Sequence, residues 1–315
     1  MTTAANVSAR KTQSTNPSGR INKRKLTDWG WGYLMVAPTI IGLIVLNIWP
    51  IIQTIAYSFC RVVDFDPPKF VGLQNWAHLF QDAQVGQATI NTVIYAVVTV
   101  AVGVFLSLVV AILLNTKIKG RSVYRTLFFL PVVSTPAAIA MVWRWLLNND
   151  YGIVNYVLSL VGIKGPNWLG DGNFVLISVM VVGIWSMVGY NMIIFLSGLQ
   201  EIPETFYEAA DMDGAGTLRK FWHITVPLIS PTMFFVMITT IISSLQVFDI
   251  IFMMVDKGNP ALPQVMPLVY LFYKYTFIQY NKGYGSTIAV FLFLITMLAT
   301  AVQLILQKKW VHYDD

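Results

Sequence analysis

Charged residues are so sparse in this 315-residue chain that they divide it into six long, largely apolar stretches. A helix needs about 20 such residues to cross the hydrocarbon core of a bilayer. Backbone groups that face lipid must be hydrogen-bonded within their own segment, and the alternating pattern of β-barrel strands is missing. The sequence therefore predicts an all-α membrane protein with six transmembrane helices. The predicted spans are residues 33–57, 92–114, 126–147, 174–199, 227–255 and 284–306.

The composition supports this assignment to the membrane class. Hydrophobic residues make up 56% of the chain and charged residues only 11%, whereas soluble domains carry about 25% charged residues. The net charge of +6 is explained by basic loops that face anionic headgroups, so it does not indicate nucleic-acid binding. The single cysteine, Cys60, excludes an internal disulfide and a cysteine-based metal cluster.

The distribution of Lys and Arg predicts the orientation of the chain. Residues 1–28 are rich in Thr, Ser and Asn and hold six basic residues, which is typical of a disordered cytoplasmic tail. With this tail inside, the inner segments hold fourteen Lys and Arg residues and the outer loops hold six. The positive-inside rule then predicts that both termini are cytoplasmic. It also predicts that residues 29–315 form the membrane domain and that the loop at 200–226 lies in the cytoplasm.

The loop at 200–226 is polar and acidic, although an apolar span lies on either side of it. Thr205 is placed to cap a helix, with Glu208 three residues later as in a capping box. Ala209 and Ala210 favour the helix, and Gly214 is a natural terminator. The pattern predicts a short helix with a sharp exit, held rigidly by the two spans. An ordinary amphipathic connecting loop is the alternative.

The same loop resembles the EAA signature of ABC importer permeases, E-A-A-x-x-D-G-A followed by a gap and I-x-x-P. Eight positions match that pattern: Glu208, Ala209, Ala210, Asp213, Gly214, Ala215, Ile224 and Pro227. The similarity extends along most of the chain after the tail. It is closest to the carbohydrate-uptake branch, in particular the first permease subunit of maltose or multiple-sugar systems.

The resemblance implies a type I importer permease fold in a bacterial inner membrane. It implies four kinds of partner: a sister permease in a heterodimer, two ATP-binding subunits, an extracytoplasmic sugar-binding protein and membrane lipid. ATP and Mg²⁺ would be bound by the partner ATPases, with no cofactor and no metal on this chain. Coupling to the ATPases is expected through the 205–216 loop. The coupling residues are expected to be Glu208, Ala209, Ala210, Asp213, Gly214 and Ala215.

Polar side chains within the apolar stretches are candidates for contact with a solute, because a charge in a span usually faces a cavity or a partner. Asp249 is an acid within the predicted fifth span, and Gln246 is expected on the same helix face. Tyr190 and Asn191 add an aromatic ring and an amide from the fourth span. The resemblance points to Tyr190, Gln246 and Asp249 as lining a sugar path. Alternatively, Asp249 pairs with the sister permease and Tyr190 serves only in packing.

The sequence does not indicate an enzyme. It contains neither a Walker-type glycine-rich loop nor a credible nucleophile–base or metal-ligand constellation. We therefore expect a permease subunit of an ATP-driven, binding-protein-dependent sugar importer, with an oligosaccharide favoured. The alternatives are the same machinery importing glycerol phosphate or a polyol, an ion-coupled secondary transporter, and a membrane-anchored scaffold without transport.

Overall fold

A computed structural model describes residues 23–64, 66–116 and 118–311 of the chain. Residues 1–22 of the predicted tail lie outside the described residues. The first helix begins at Lys23, so residues 23–28, which we expected in the tail, are helical.

Helices account for most of the described chain. The α-helices are α1 (Lys23–Leu43), α2 (Trp49–Ser58), α3 (Gln74–Gln81), α4 (Ala83–Asn115), α5 (Arg121–Val133), α6 (Pro136–Leu146), α7 (Ile153–Leu160), α8 (Gly172–Glu201), α9 (Glu204–Met212), α10 (Thr217–Lys220), α11 (Val226–Leu228), α12 (Ser230–Leu245), α13 (Asp249–Met254), α14 (Leu268–Tyr273) and α15 (Lys282–Trp310). Wider π-helical turns occupy Ile44–Ile48, Phe221–Thr225 and Lys274–Ile278, and a 3-10 turn occupies Leu262–Gln264. Strands β1 (Cys60–Arg61) and β2 (Lys69–Phe70) pair antiparallel.

Four of the six predicted spans are continuous helices that are long and apolar enough to cross a membrane. Within the described residues these four are Trp29–Ser58, Ala83–Asn115, Gly172–Glu201 and Lys282–Trp310. The third and fifth predicted spans are each a pair of helices joined at a sharp bend, of 103° between α5 and α6 and of 68° between 217–228 and α12. The helical prediction is therefore confirmed, and the sequence analysis did not predict the two bends.

Proline chemistry explains the first bend. Pro136 lacks an N–H group and biases the residue before it towards an extended backbone. Thr135 has that conformation, with φ −68° and ψ 143°, and its hydroxyl accepts a hydrogen bond from the backbone N–H of Ala138 over 3.3 Å. The chain therefore ends one helix at Val133 and caps a new one two residues later.

The second bend lies at Ile229, between Pro227 and Pro231. Because Pro231 has no N–H, the carbonyl oxygen of Pro227 loses its usual donor four residues on. The hydroxyl of Ser230 donates to that oxygen instead, over 2.6 Å. The Ile229 side chain is fully buried, so the bend is packed as well as hydrogen-bonded.

The fifth predicted span also ends earlier than expected. Helix α12 stops at Leu245, residues 246–248 leave the helical path, and Asp249 begins the separate short helix α13. The expectation that Gln246 and Asp249 share a helix face was therefore wrong, because the helix is interrupted between them.

The chain divides into two compact units, residues 1–53 and 54–315. From Trp29 on, the described part of the first unit is an apolar helix. In the second unit α4 lies along α8, and two apolar cores form on this pair. One core gathers the start of α4, the start of α8, α13 and α14. The other gathers the ends of α4 and α8 with the start of α12, so α4 and α8 run in the same direction.

A close backbone contact fixes α5 against α8. A Cβ atom at Gly189 would lie only 1.9 Å from the carbonyl oxygen of Phe128. Only glycine allows this approach, as is common where membrane helices pack tightly.

Asp82 joins three segments where α4 begins. One carboxylate oxygen caps α4 by accepting from the Gln84 N–H over 2.8 Å. The other accepts from the hydroxyls of Tyr275, over 3.2 Å, and Tyr284, over 2.9 Å. Burial, assisted by the Asp82 carboxylate, raises the pKa of Tyr275 to about 12. This phenol therefore stays protonated, and able to donate, across the neutral pH range.

Candidate functional site

The EAA segment folds as the short helix α9, but it begins differently from the expectation. Helix α9 starts at Glu204 after Pro203, and no side chain caps its first turn. The predicted capping box of Thr205 and Glu208 was therefore wrong. Pro203, with its fixed φ of −60°, sets the entry of the chain instead.

The end of α9 is formed as predicted, at Gly214. This residue has a φ of +70°, in the left-handed region that favours glycine. The N–H of Ala215 donates to the Ala210 carbonyl over 2.9 Å, and the N–H of Gly214 donates to the Asp211 carbonyl over 3.1 Å. This pair of bonds is a Schellman motif, which satisfies the last carbonyls and turns the chain sharply.

Two side-chain contacts connect α9 to the start of the following span. Lys220 Nζ donates to Asp211 Oδ1 over 2.7 Å. The hydroxyls of Tyr207 and Thr225 lie 3.1 Å apart, and Thr225 is buried. The helix is thus attached to the protein along its length and is not a free loop.

The remaining surface of α9 and its exit is open and mixed in character. Glu208, Ala209 and Asp213 are exposed, whereas Ala210 and Ala215 are half-buried. Large apolar side chains protrude beside them, with Met212 91% exposed. A recess of about 470 Å³ adjoins this surface; it is lined by Ala210, Asp213, Ala215, Arg219, Lys220, His223 and Ile224.

A polar cleft of about 310 Å³ opens between α8 and α12. Its lining residues recur every three or four positions on each helix, so one stripe of each helix faces the other. The lining residues are Tyr95, Gly183, Ser186, Met187, Tyr190, Asn191, Thr239, Thr240, Ser243, Ser244, Val247 and Ile250. Tyr190 and Ser243 are exposed, so the cleft is open on one side.

Hydrogen bonds between side chains hold the walls of the cleft. Asn191 Nδ2 donates to Thr240 Oγ1 over 3.1 Å, and both residues are buried. At the base, the hydroxyl of Thr99 on α4 donates to that of Ser244 over 3.2 Å. Tyr95 is also buried, and its hydroxyl reaches the cleft beside Gly183, where an added Cβ would lie 2.1 Å from the phenol oxygen. The cleft therefore offers hydroxyls, an amide and aromatic rings to a bound molecule.

The structure brings together two of the four predicted substrate residues. Tyr190 and Asn191 both line the cleft. Gln246 and Asp249 do not line it; they lie exposed at the break that follows α12. Val247, between them, does line the cleft, so the break lies at its edge.

Sequence reasoning missed much of this lining. Tyr95, Ser186, Thr239, Thr240 and Ser244 were not expected there. The available signal was the recurrence of hydroxyl side chains every three or four residues on both spans. A single Ser or Thr in a span is uninformative, because its hydroxyl can bond to its own helix, as Ser186 does to the Val182 carbonyl.

Within the described residues, no three His, Cys, Asp or Glu side chains lie close enough together to hold a metal ion. The arrangement provides a polar cleft and a surface helix that is held against the start of the following span.

Comparison with known proteins identifies the family. Residues 103–312 match the family described as binding-protein-dependent transport system inner membrane component. The chain is 35% identical over 283 residues to the sn-glycerol-3-phosphate transport system permease protein UgpA of Agrobacterium fabrum, covering 89% of this chain and 96% of that protein. It is 32% identical over 285 residues to the trehalose/maltose transport system permease protein MalF of Thermococcus litoralis, covering 90% and 95% respectively.

The fold is also that of a solved transporter chain. A chain in the crystal structure of a bacterial alginate ABC transporter, in complex with an alginate pentasaccharide-bound periplasmic protein, superposes with a TM-score of 0.81 at 21% identity. The match covers 91% of this chain and 96% of that chain. The predicted fold class is thereby confirmed. This membrane protein belongs to the family of binding-protein-dependent transport system inner membrane components.

Proposed function

We propose that the chain is one of two transmembrane permease subunits of an ATP-driven importer that takes up a sugar, with an oligosaccharide as the favoured cargo. Residues 29–315 would be the permease domain. Both termini and α9 would be cytoplasmic, as the Lys and Arg bias favours. Two ATP-binding subunits would bind and hydrolyse MgATP, and an extracytoplasmic binding protein would deliver the sugar.

The observation that carries this proposal is the direct chain connection between α9 and the cleft. Helix α9 leads through α10 and α11 into α12, and Thr239, Thr240, Ser243 and Ser244 of α12 form one wall of the cleft. A partner that moves α9 therefore acts on an element that also contacts the solute.

The mechanism follows from this connection. Binding of ATP would close the two ATPases and move the surfaces on which α9 sits. The spans would then exchange between inward- and outward-facing arrangements, and hydrolysis would reset the complex. Nucleotide drives this exchange only because it binds one arrangement more tightly than the other. Glu208, Ala209, Ala210, Asp213, Gly214 and Ala215 would form the coupling contact.

The lining of the cleft supports an uncharged sugar over a phosphorylated solute. The permease from Agrobacterium is named for sn-glycerol-3-phosphate, which makes such a solute the second candidate. Phosphate is usually bound by Arg or Lys. No Lys, Arg or His is among the residues that line the described cleft. Hydroxyl, amide and aromatic groups suit the hydroxyls and apolar faces of a sugar ring.

Reconstitution tests the proposal. The chain is assembled in vesicles with its sister permease, ATPases and binding protein, and uptake of labelled oligosaccharides is measured with and without ATP. We expect uptake that requires both ATP and the binding protein and that excess glycerol 3-phosphate does not inhibit. Uptake driven by an ion gradient without the ATPases would contradict the proposal.

A further inference from the structure

Two arginines near the start of α5 have buried donors that lack partners. Nε of Arg121, and Nε and Nη2 of Arg125, are shielded from solvent and have no hydrogen-bond partner among the described residues. Neither side chain takes part in an ion pair there. Buried guanidinium donors are normally satisfied, because leaving them unpaired is costly. Arg121 and Arg125 are only half-buried as whole residues, so an acceptor outside the described residues can approach their guanidinium groups.

The local electrostatics favour an anion as that acceptor. Arg121 and Arg125 lie one helical turn apart, so their like charges repel each other. They also lie in the first two turns of α5, where the helix dipole already places positive charge. Gly120 precedes the helix and contributes no side-chain cap. A negatively charged group would relieve all three unfavourable features.

An apolar groove of about 660 Å³ runs between α4, α5 and α8. Its lining residues are Val102, Leu106, Val110, Tyr124, Leu127, Phe128, Pro131, Val181, Ile184, Trp185 and Val188. Arg121 precedes Tyr124 by three residues and Arg125 precedes Phe128 by three, so both arginines lie on the side of α5 that lines the groove, near the start of the helix. The apolar groove and the two arginines thus lie on the same side of α5.

The position of the two arginines along the membrane normal is consistent with a headgroup. Helices α4 and α8 run parallel, and their C-terminal ends meet in the apolar core that adjoins α9. Helix α5 starts directly after α4 ends, so Arg121 and Arg125 lie at the same end of the bundle as α9. With the orientation of the proposed function, this end faces the cytoplasmic leaflet, where anionic lipids attract basic residues.

We propose that Arg121 and Arg125 bind the phosphate of an anionic phospholipid, one acyl chain of which lies in the groove. The phosphate oxygens accept from accessible guanidinium N–H groups of the two arginines, and the acyl chain covers the apolar lining without bringing polar groups into it. A helix of a partner subunit would also cover the groove. It would supply an anionic acceptor to the arginines only if it carried an acidic residue at the same level of the membrane. The charge at the end of the groove therefore favours the lipid.

Photolabelling of the wild-type chain tests the proposal directly. The full chain is reconstituted in vesicles that contain phosphatidylglycerol with a photoreactive group in its acyl chain, and labelled peptides are mapped. We expect label on the groove residues of α5 and α8, and about tenfold less when the probe is phosphatidylcholine, because two arginines discriminate the headgroup charge. Equal labelling by the two lipids, or label spread evenly over all spans, overturns the proposal.

Variants identify the arginines as the cause. R121Q/R125Q should reduce the labelling of the groove by phosphatidylglycerol to the level seen with phosphatidylcholine. K308Q/K309Q, which removes a cation pair at the end of α15, should leave it unchanged. If R121Q/R125Q folds like the wild type and phosphatidylglycerol still labels its groove to the wild-type level, the proposal is wrong.

The assembled importer provides the remaining test. In the assembled importer, Leu106→Cys places a cross-linkable thiol in the groove. If this thiol cross-links efficiently to the sister permease and the lipid probe no longer labels the groove, the groove is a subunit interface. The lipid proposal is then wrong. Continued labelling in the complex supports it.

Discussion

Asn191 on α8 donates a hydrogen bond to Thr240 on α12 over 3.1 Å, and this bond connects the two walls of the polar cleft. Both residues are buried, so the bond is shielded from water. It fixes the spacing of the walls at the level where Tyr190 enters the cleft. The bond therefore has a structural role in addition to the solute contact predicted for Asn191.

Asn191→Leu should weaken the pairing of α8 with α12 and reduce transport. Hydrogen bonds between membrane helices contribute about 0.6 kcal/mol on average, so we expect a small fall in the thermal unfolding midpoint and a larger fall in sugar uptake. Thr296→Val on α15 is the control, because the Thr296 hydroxyl bonds only to its own helix, at Leu292. Equal effects of the two variants on uptake would argue against a special role for Asn191.

Two substitutions of Tyr190 can distinguish the contribution of its ring to uptake from that of its hydroxyl. An aromatic contact contributes about 0.5–1.5 kcal/mol, so Tyr190→Ala should lower sugar uptake roughly twofold to tenfold, whereas Tyr190→Phe should retain most of it. Initial rates at saturating binding protein measure the difference. Tyr156→Ala, at an exposed position of α7, is the matched control. Normal uptake by Tyr190→Ala would reduce Tyr190 to a packing residue.

Gly214 and Gly216 form a matched pair for the coupling hypothesis. Gly214 has a φ of +70° and Gly216 a φ of −66°, and neither would place a Cβ near another atom. A β-branched residue at Gly214 costs about 1–2 kcal/mol in the left-handed region and should disrupt the Schellman exit. We expect Gly214→Val to uncouple ATP hydrolysis from uptake while the chain still inserts, and Gly216→Val to transport normally.

Glu208→Lys examines the same coupling surface without altering the backbone. Glu208 is exposed, so the fold should be unaffected. We expect the ATPase activity of the assembled complex to persist while uptake is lost. Wild-type uptake in both Glu208→Lys and Gly214→Val would refute the coupling role of α9.

Gly189 should not tolerate a larger residue at the contact between α8 and α5. Its added Cβ would lie 1.9 Å from the Phe128 oxygen, and overpacking of this kind costs about 1–3 kcal/mol. Gly189→Ala should therefore lower the unfolding midpoint in detergent. Gly86→Ala on α4, with nothing within 4 Å of the new Cβ, should be neutral or stabilising. The prediction is wrong if the two variants unfold at the same temperature.

The Asp82 contacts should respond to alkaline pH. Folding raises the pKa of Tyr275 to about 12, above the ordinary value of about 10. The folded state therefore holds this proton more tightly, so the stabilisation is complete below pH 10 and is lost as the pH rises towards 12. The difference in unfolding midpoint between wild type and Tyr275→Phe should be constant from pH 7 to 9 and shrink above pH 10.

Features that depend on composition and local backbone rules could be predicted from the sequence. The apolar runs located the helices, and Gly214 terminated α9 because its left-handed conformation is a local property. Tyr190 and Asn191 both line the cleft, as expected for polar side chains within a span, which usually face a cavity or a partner and not lipid. The breaks were harder to predict. Pro136 and Pro231 were visible, but proline inside a membrane helix can be accommodated without a bend, and tertiary packing decides the outcome.

The other errors have the same origin. Asp249 and Gln246 fit a helix face only if the helix continues, and the break at 246–248 has no proline or glycine to signal it. Thr205 and Glu208 fit a capping box, yet the helix begins after Pro203, two residues too early for it. Tyr95 could not be assigned to the cleft, because its position follows from the packing of α4 along α8, a contact between residues far apart in the sequence.

The corner at Ile229 determines what kind of motion can reach the cleft. Its buried side chain and the Ser230 bond to Pro227 make it stiff, and it turns the chain by 68°. A thrust along the axis of residues 217–228 would therefore arrive at α12 mostly sideways. It would move the α12 wall of the cleft away from or towards the α8 wall, rather than slide one wall past the other.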